Sequence, residues 1–355
     1  MQPTLRYQIG QMLLLGFDGI SIDQHAPIAQ AISEDGIGGV ILFDYDYTNQ
    51  RFGKNIQDPS QVTQLNQTLQ TLNTNARHLD HQPLLPLMIA VDYEGGQVNR
   101  LKETYGFPPT ISAAEAGRMQ AKDVSTAANT MATTLAQLGF NLDFAPVVDI
   151  NINPNNPILG KLDRCFSADP QKVSDYASLY AQAFAKQGVQ SAYKHFPGHG
   201  SSETDSHLGF VDVTDSWQEC ELLPYEDLKN HPDSCQMIMT AHIINKKLDP
   251  SGLPATLSHR MLTELLRDKL QFQGIIITDD MQMKAIADHY NMEAAITMAI
   301  NAGADMLIFG NQLNAGPQNS KQLIDYIESE VHAGKISAET IQQAYARIVT
   351  FKERM

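Results

Sequence analysis

Short apolar runs recur along the chain, each rich in Val, Ile, Leu or Met and most closing on a polar residue. They read MLLLGFD (12–18), GVILFD (39–44), LMIAVD (87–92), NLDFAPVVD (141–149), SAYKH (191–195), MIMTAH (237–242), GIIITD (274–279) and MLIFGN (306–311). Most lack polar alternation, as parallel strands buried on both faces do. Helical periodicity fills many of the intervals. Within 171–188, Val173, Tyr176, Ala177, Tyr180 and Phe184 recur at three- and four-residue steps. Near the end, Ile341, Ala344, Ile348 and Phe351 share one face, and Ser337 stands where an N-cap belongs. Eight buried strands alternating with helices predict an α/β chain folded as one (β/α)8 TIM-type barrel over 1–355. A doubly wound open sheet is the alternative. It ordinarily needs fewer strands, and no glycine fingerprint follows the first one. GIGG (36–39) precedes a strand and reads as an αβ turn.

Composition narrows the function. At 43% hydrophobic, the 355 residues suffice for a large core. Lys and Arg total 25 against 40 Asp and Glu, a formal charge of -15. Such a surface repels phosphate backbones, which argues against nucleic-acid binding. No apolar run approaches a membrane span. The start, MQPTLRYQIGQMLLLGFDG, has no basic region, long apolar segment or small-residue cleavage site. Read as a native start it predicts a cytoplasmic protein; a chain trimmed of its signal would read the same. Cys165, Cys220 and Cys235 are odd in number and widely spaced, which suggests free thiols rather than a disulfide framework or zinc ribbon. Oligomeric state is not legible in these patterns, and a monomer is compatible with them.

In a barrel, catalytic groups sit at the carboxyl ends of strands and in the loops after them. The strand ends carry Asp92, Asp149, Lys194, His195, His242 and Asp279. Two long loops, 44–57 and 196–216, would stand at the same mouth. Each candidate also has a bland reading. Asp143 and Asp149 could be structural carboxylates bonded to loop amides, and His242 a satisfied buried histidine. TDD (278–280) could cap a helix, since aspartate favours helix starts. Arg100 and Arg164 could be surface ion pairs of little worth. Lys194 resists such a reading, because a lysine in an apolar strand must meet an anion or a fixed polar ligand. In a regular strand His195 points to the opposite face from Lys194. Adjacent carboxylates at a strand end repel unless one is a nucleophile or pairs with a cation.

The segment AYKHFPGHGSSETDSH (192–207) concentrates proton-handling side chains. His195, His199, Asp205 and His207 invite a metal reading, but the spacing matches neither a His-x-His pair nor a helical His-Glu-x-x-His motif. No metal or other cofactor is expected. PGHG is followed by polar loop residues rather than a helix start, which weakens a phosphate cradle.

KHFPGHG followed by DSH, with VDYEGG upstream and TDDMQM downstream, resembles glycoside hydrolase family 3. More narrowly it is similar to the bacterial β-N-acetylglucosaminidases of the NagZ type. GVILF, VDYEGGQVNRL, FAPVVDI, DRCFSADP, YKHFPGHG, DSH, MTAHI, PATLS, TDDMQM and AGADMLIF follow in the family's order over nearly the whole chain. The resemblance implies retaining hydrolysis of terminal β-linked N-acetylglucosamine through a covalent glycosyl-enzyme. Asp279 matches the nucleophile, His207 the acid/base and Asp205 its orienting partner. Asp92, Arg100, Arg164, Lys194 and His195 match sugar-binding positions. Gln97 stands where an arginine is usual, and Thr278 where serine is common. A neighbouring carboxylate would stabilise a His207 imidazolium and fix its tautomer. The implied partner is a carbohydrate, peptidoglycan-derived muropeptides being the family expectation. Chitin fragments, other β-glycosides and a phosphorylase using phosphate as acceptor are alternatives, and an inactive sugar-binding module is the non-enzyme reading.

Overall fold

The computed structural model describes residues 3–80, 83, 85–204, 209, 211–231, 235–312 and 317–355, the side chains of 77–80 excepted. Nine parallel strands form a nearly closed barrel: β1 (Leu13–Gly16), β2 (Gly39–Ile41), β3 (Met88–Val91), β4 (Leu142–Asp143), β5 (Gln190–Ser191), β6 (Tyr193–Phe196), β7 (Met237–Thr240), β8 (Ile275–Asp280) and β9 (Met306–Phe309). Their order around the sheet is β6-β7-β8-β9-β1-β2-β3-β4-β5. All eight apolar runs supply strands, and the ninth arises because the run at 191–195 is split. Its halves, β5 and β6, are the two ends of the sheet, yet only Ala192 separates them. The Ala192 amide reaches the carbonyls of both Asp143 and Ala145, and Val148 donates to the Lys194 carbonyl at 2.9 Å. The run at 141–149 is a strand only at 142–143, followed by an isolated bridge between Val147 and Lys194. Pro146, lacking an N–H, cannot carry a regular ladder through this stretch.

Purely apolar strands suit this sheet because both faces are covered. Ile275, Ile276 and Ile277 of β8 and Met237 and Ile238 of β7 are all fully buried. Ile277 lies beside Met239 on one side and Met306 on the other, so Ile277→Ala would cost about 2–5 kcal/mol through the cavity left behind. Helix Pro170–Ala185 buries Val173, Tyr176, Ala177, Tyr180 and Phe184, the stripe its periodicity predicts, and Asp169 caps its first turn. Helix Ala338–Lys352 likewise buries Ile341, Ala344, Ile348 and Phe351, with the Ser337 hydroxyl accepting from the Glu339 amide. All three cysteines are free thiols. No helix among the described residues is long and apolar enough to cross a membrane.

Candidate active site

The strand ends open onto one cavity of about 310 Å³. Asp92, Arg100, Arg164, Lys194, His195 and Asp279 all line it. Asp205 and His207 lie outside the described residues.

Asp92 directly follows β3, where the chain enters a tight hairpin that carries Glu94. Gly95 makes that turn possible: its φ is +85°, and a Cβ there would sit 2.1 Å from the Ile111 carbonyl oxygen. Glu94 is the hub of the cavity floor. It accepts from Arg164 Nε at 2.7 Å and Nη2 at 2.8 Å, and from the Lys194 ammonium at 2.6 Å. Lys194 also donates to Asp92 Oδ1 at 2.9 Å, and Arg164 Nη1 donates to the Ile158 carbonyl at 2.8 Å. Burial alone would raise the Glu94 pKa, but the Arg164 and Lys194 cations hold it well below the usual carboxylate range. Burial would strip the proton from Lys194, yet Asp92 and Glu94 keep its pKa raised. Charged groups are therefore held in one geometry before any ligand arrives. Arg100 joins the rim, 3.7 Å from Asp92 and 3.8 Å from Asp44. Its buried Nε has no hydrogen-bond partner among the described residues.

His195 departs from the alternation expected of a strand. It lines the cavity beside Lys194, in a stretch where the register of β6 against β7 is irregular between Tyr193 and Phe196. Its Nδ1 lies 2.7 Å from Asp149 Oδ2. Asp149 Oδ1 takes the backbone amides of His195 at 3.3 Å and His199 at 2.8 Å. Burial opposes the Asp149 charge, but these histidine contacts lower its pKa overall. Asp149 is therefore a carboxylate bonded to backbone amides of β6 and the loop after it, and also the group that orients His195. Asp143 accepts from the Tyr93 amide at 2.9 Å, which fits its structural reading. His199, also lining the cavity, has its pKa lowered to about 4, mainly by burial.

β8 delivers two carboxylates with separate duties. Asp280 Oδ1 accepts from the Gln282 amide at 3.0 Å and the Gly310 amide at 3.2 Å, so it fastens the turn after the strand. Asp279 Oδ1 accepts from the Asp280 amide at 2.8 Å. His242 braces this strand end, with Nδ1 2.7 Å from the Thr256 hydroxyl and Nε2 donating to the Asp280 carbonyl at 2.9 Å. It is a satisfied buried histidine. Thr278 is buried, its hydroxyl accepting from the Ile308 amide. Gln97 is exposed on the hairpin turn. Among the described residues no group of three or more His, Cys, Asp or Glu side chains is arranged to hold a metal ion.

A barrel mouth with two adjacent carboxylates at a strand end and a fixed cationic floor suits glycan chemistry, and comparison with known proteins agrees. The glycosyl hydrolase family 3 N terminal domain matches residues 4–351. The chain belongs to that family. A beta-hexosaminidase of Tolumonas auensis is 35% identical over 84% of this chain and 82% of its own length. Beta-hexosaminidase A of Pseudoalteromonas piscicida is 33% identical over 99% of this chain but 61% of its own. Among solved structures, a glycoside hydrolase family 3 beta-N-acetylglucosaminidase from Paenibacillus sp. str. FPU-7 superposes with a TM-score of 0.87 at 30% identity, covering 99% of this chain and 63% of that one. The chain thus spans less than two thirds of these last two relatives.

Against this family 3 framework, the residue that sequence reasoning passed over is Glu94. It sits inside the VDYEGG motif, and its signal was an acid in a glycine turn one residue beyond a strand-end aspartate. Asp149 stands in the sequence as a strand-end candidate with a structural alternative, and His199 only as a rejected metal ligand. Asp44, buried and 2.7 Å from the Lys102 ammonium, gave no signal beyond closing an apolar run.

Proposed function

We propose that this protein is a retaining exo-β-N-acetylglucosaminidase, a β-hexosaminidase that removes terminal β-linked N-acetylglucosamine. One observation carries the reading: Asp279 shares a sugar-sized cavity with the preset Lys194–Glu94–Arg164 floor. Lys194, Arg164, Arg100 and His195 offer donors to sugar hydroxyls, while Asp92 accepts. Asp279 attacks the anomeric carbon, expelling the leaving oxygen and forming a glycosyl ester. His207, oriented by Asp205, protonates that oxygen and then takes a proton from the water that hydrolyses the ester. The beta-hexosaminidase relatives support this chemistry. The natural substrates are peptidoglycan-derived muropeptides met in the cytoplasm. Product analysis on muropeptides and chitooligosaccharides, with and without phosphate, tests the proposal. Free N-acetylglucosamine released without phosphate is expected. N-acetylglucosamine 1-phosphate formed only with phosphate would make the enzyme a phosphorylase. Absence of turnover on every β-N-acetylglucosaminide would leave a sugar-binding module.

A further inference from the structure

We propose that the hairpin after β2 is an aromatic platform for the sugar ring on the leaving-group side of the scissile bond. On this inference, which rests on the glycosidase reading above, the substrate is a glycan of at least two β-linked rings. The hairpin pairs Tyr45–Asp46 with Arg51–Phe52 in antiparallel fashion. Asp46 ties its turn by accepting from the Asn49 amide at 3.0 Å and side chain at 2.7 Å. Tyr47 and Phe52 are the two large hydrophobic side chains left exposed among the described residues, at 52% and 58%. One exposed aromatic is ordinary, but these belong to a connected row. Tyr47 meets Tyr45 with ring centroids 5.0 Å apart, Tyr45 meets Phe52 at 4.9 Å, and Phe52 meets Tyr105 at 6.0 Å. The row begins in the catalytic cavity, which Tyr47 lines, and ends in an adjoining hollow of about 490 Å³ lined by Phe52 and Tyr105.

The row is also held in place. The Lys102 ammonium lies 4.7 Å from the Phe52 centroid and is fixed by Asp44 at 2.7 Å. Asp44 accepts in addition from the Tyr105 hydroxyl at 3.3 Å. Phe52 nevertheless stays more than half exposed. A pyranose presents an apolar C–H face and a rim of hydroxyls. Aromatic rings cover such a face and remove apolar surface from water. Asn49, Arg51 and Gln57 stand around the adjoining hollow with donors and acceptors for the rim. Direction follows from the cavity. Its floor is filled by Lys194, Glu94 and Arg164, so whatever is attached beyond the reacting sugar must leave through the mouth, where the hairpin stands.

The test compares leaving groups with and without a ring. Wild type, Phe52→Ala and Phe52→Tyr are assayed on β-N-acetylglucosaminyl fluoride, which has none, and on chitobiose and chitotriose. For Phe52→Ala, the ratio of kcat/KM on chitobiose to that on the fluoride should fall about tenfold, equivalent to about 1.4 kcal/mol. The loss should lie mainly in KM, and Phe52→Tyr should restore the ratio. Because both rates come from one preparation, partial unfolding cancels. An unchanged ratio in an enzyme that hydrolyses both substrates overturns the platform and leaves the glycosidase reading intact. If wild type cleaves neither, the glycosidase reading fails instead. Calorimetric titration of wild type and Phe52→Ala with chitotriose then reads the platform alone, and equal affinities overturn it.

Discussion

Glu94 holds Arg164 in a two-pronged ion pair, with Nε and Nη2 of the guanidinium 2.7 and 2.8 Å from its two carboxylate oxygens. Both groups are buried. The fork fixes the plane of the guanidinium as well as its position, which a lysine in its place could not do. Through Lys194 the same carboxylate reaches Asp92, so one residue sets the geometry of most of the cavity floor.

Glu94→Gln leaves two buried cations short of their anion. Losing one partner of a buried pair should cost about 3–5 kcal/mol of stability, read by urea unfolding. With Arg164 and Lys194 released, kcat/KM should fall by about a hundredfold, a loss of about 3 kcal/mol in transition-state stabilisation. The folded pKa of Glu94 is depressed. Its contribution is therefore present above the ordinary carboxylate range and is lost as pH falls through the depressed value. Wild type and variant should differ most at neutral pH and converge in strong acid. Equal stability at pH 7 would show that the pair contributes nothing net.

Asp279 and His207 should separate by leaving group. Asp279→Asn should abolish turnover of every β-N-acetylglucosaminide, because attack on the anomeric carbon does not depend on what leaves. His207→Ala should suffer far more on a disaccharide than on an activated aryl glycoside, which departs with little protonation. On the aryl substrate a product burst and a covalent adduct should appear by intact-protein mass spectrometry. Asp205→Asn should show a milder version. Equal losses on both substrates with no adduct would move the acid/base elsewhere, first to Glu203, an exposed residue of the same loop.

Glu221 should give stability a pH slope near neutrality. It packs beneath the loop after β6, accepting from the Gly200 amide at 3.0 Å and the Gln218 amide at 3.2 Å. Burial nevertheless pushes its pKa up from 4.5 to about 7. A raised folded pKa means that the stabilising state is the protonated one. That contribution is complete below the unfolded pKa and is lost as pH rises through about 7. Stability should therefore fall by on the order of 3 kcal/mol between pH 4.5 and 8 from this group. Glu221→Gln should flatten the curve over that window. A variant whose profile runs parallel to wild type would remove Glu221 as the cause.

Activity should survive exhaustive chelation. Of the carboxylates lining the cavity, Asp92 and Glu94 already face Lys194, and Glu94 also faces Arg164. A divalent ion among them would meet like charge. Loss of activity in chelator, recovered by adding zinc or another divalent ion, would sink the metal-free mechanism.

Part of this protein is written in local pattern. The apolar runs declared buried parallel strands, and the stripes at Val173–Phe184 and Ile341–Phe351 declared helices, because side-chain period depends only on near neighbours. Lys194 and Asp279 stood out for a similar reason: a charge in an apolar strand, or two adjacent carboxylates at its end, conflicts with its own surroundings and asks for a partner. The partners are another matter. Glu94 and Arg164 lie 70 residues apart, and Asp149 and His195 lie 46 apart. Nothing in the period of one segment states which residue of a distant segment will face it. That is settled by strand order, by register and by the closure of the sheet through the split at Ala192. Where the pairing of β6 with β7 is irregular, His195 lines the cavity beside Lys194, against the alternation a regular strand would impose. Local sequence thus determined the elements and the residues with chemistry to offer. Only the assembled barrel decided which charges meet, because ion pairing acts across a few ångströms of space and is indifferent to separation along the chain.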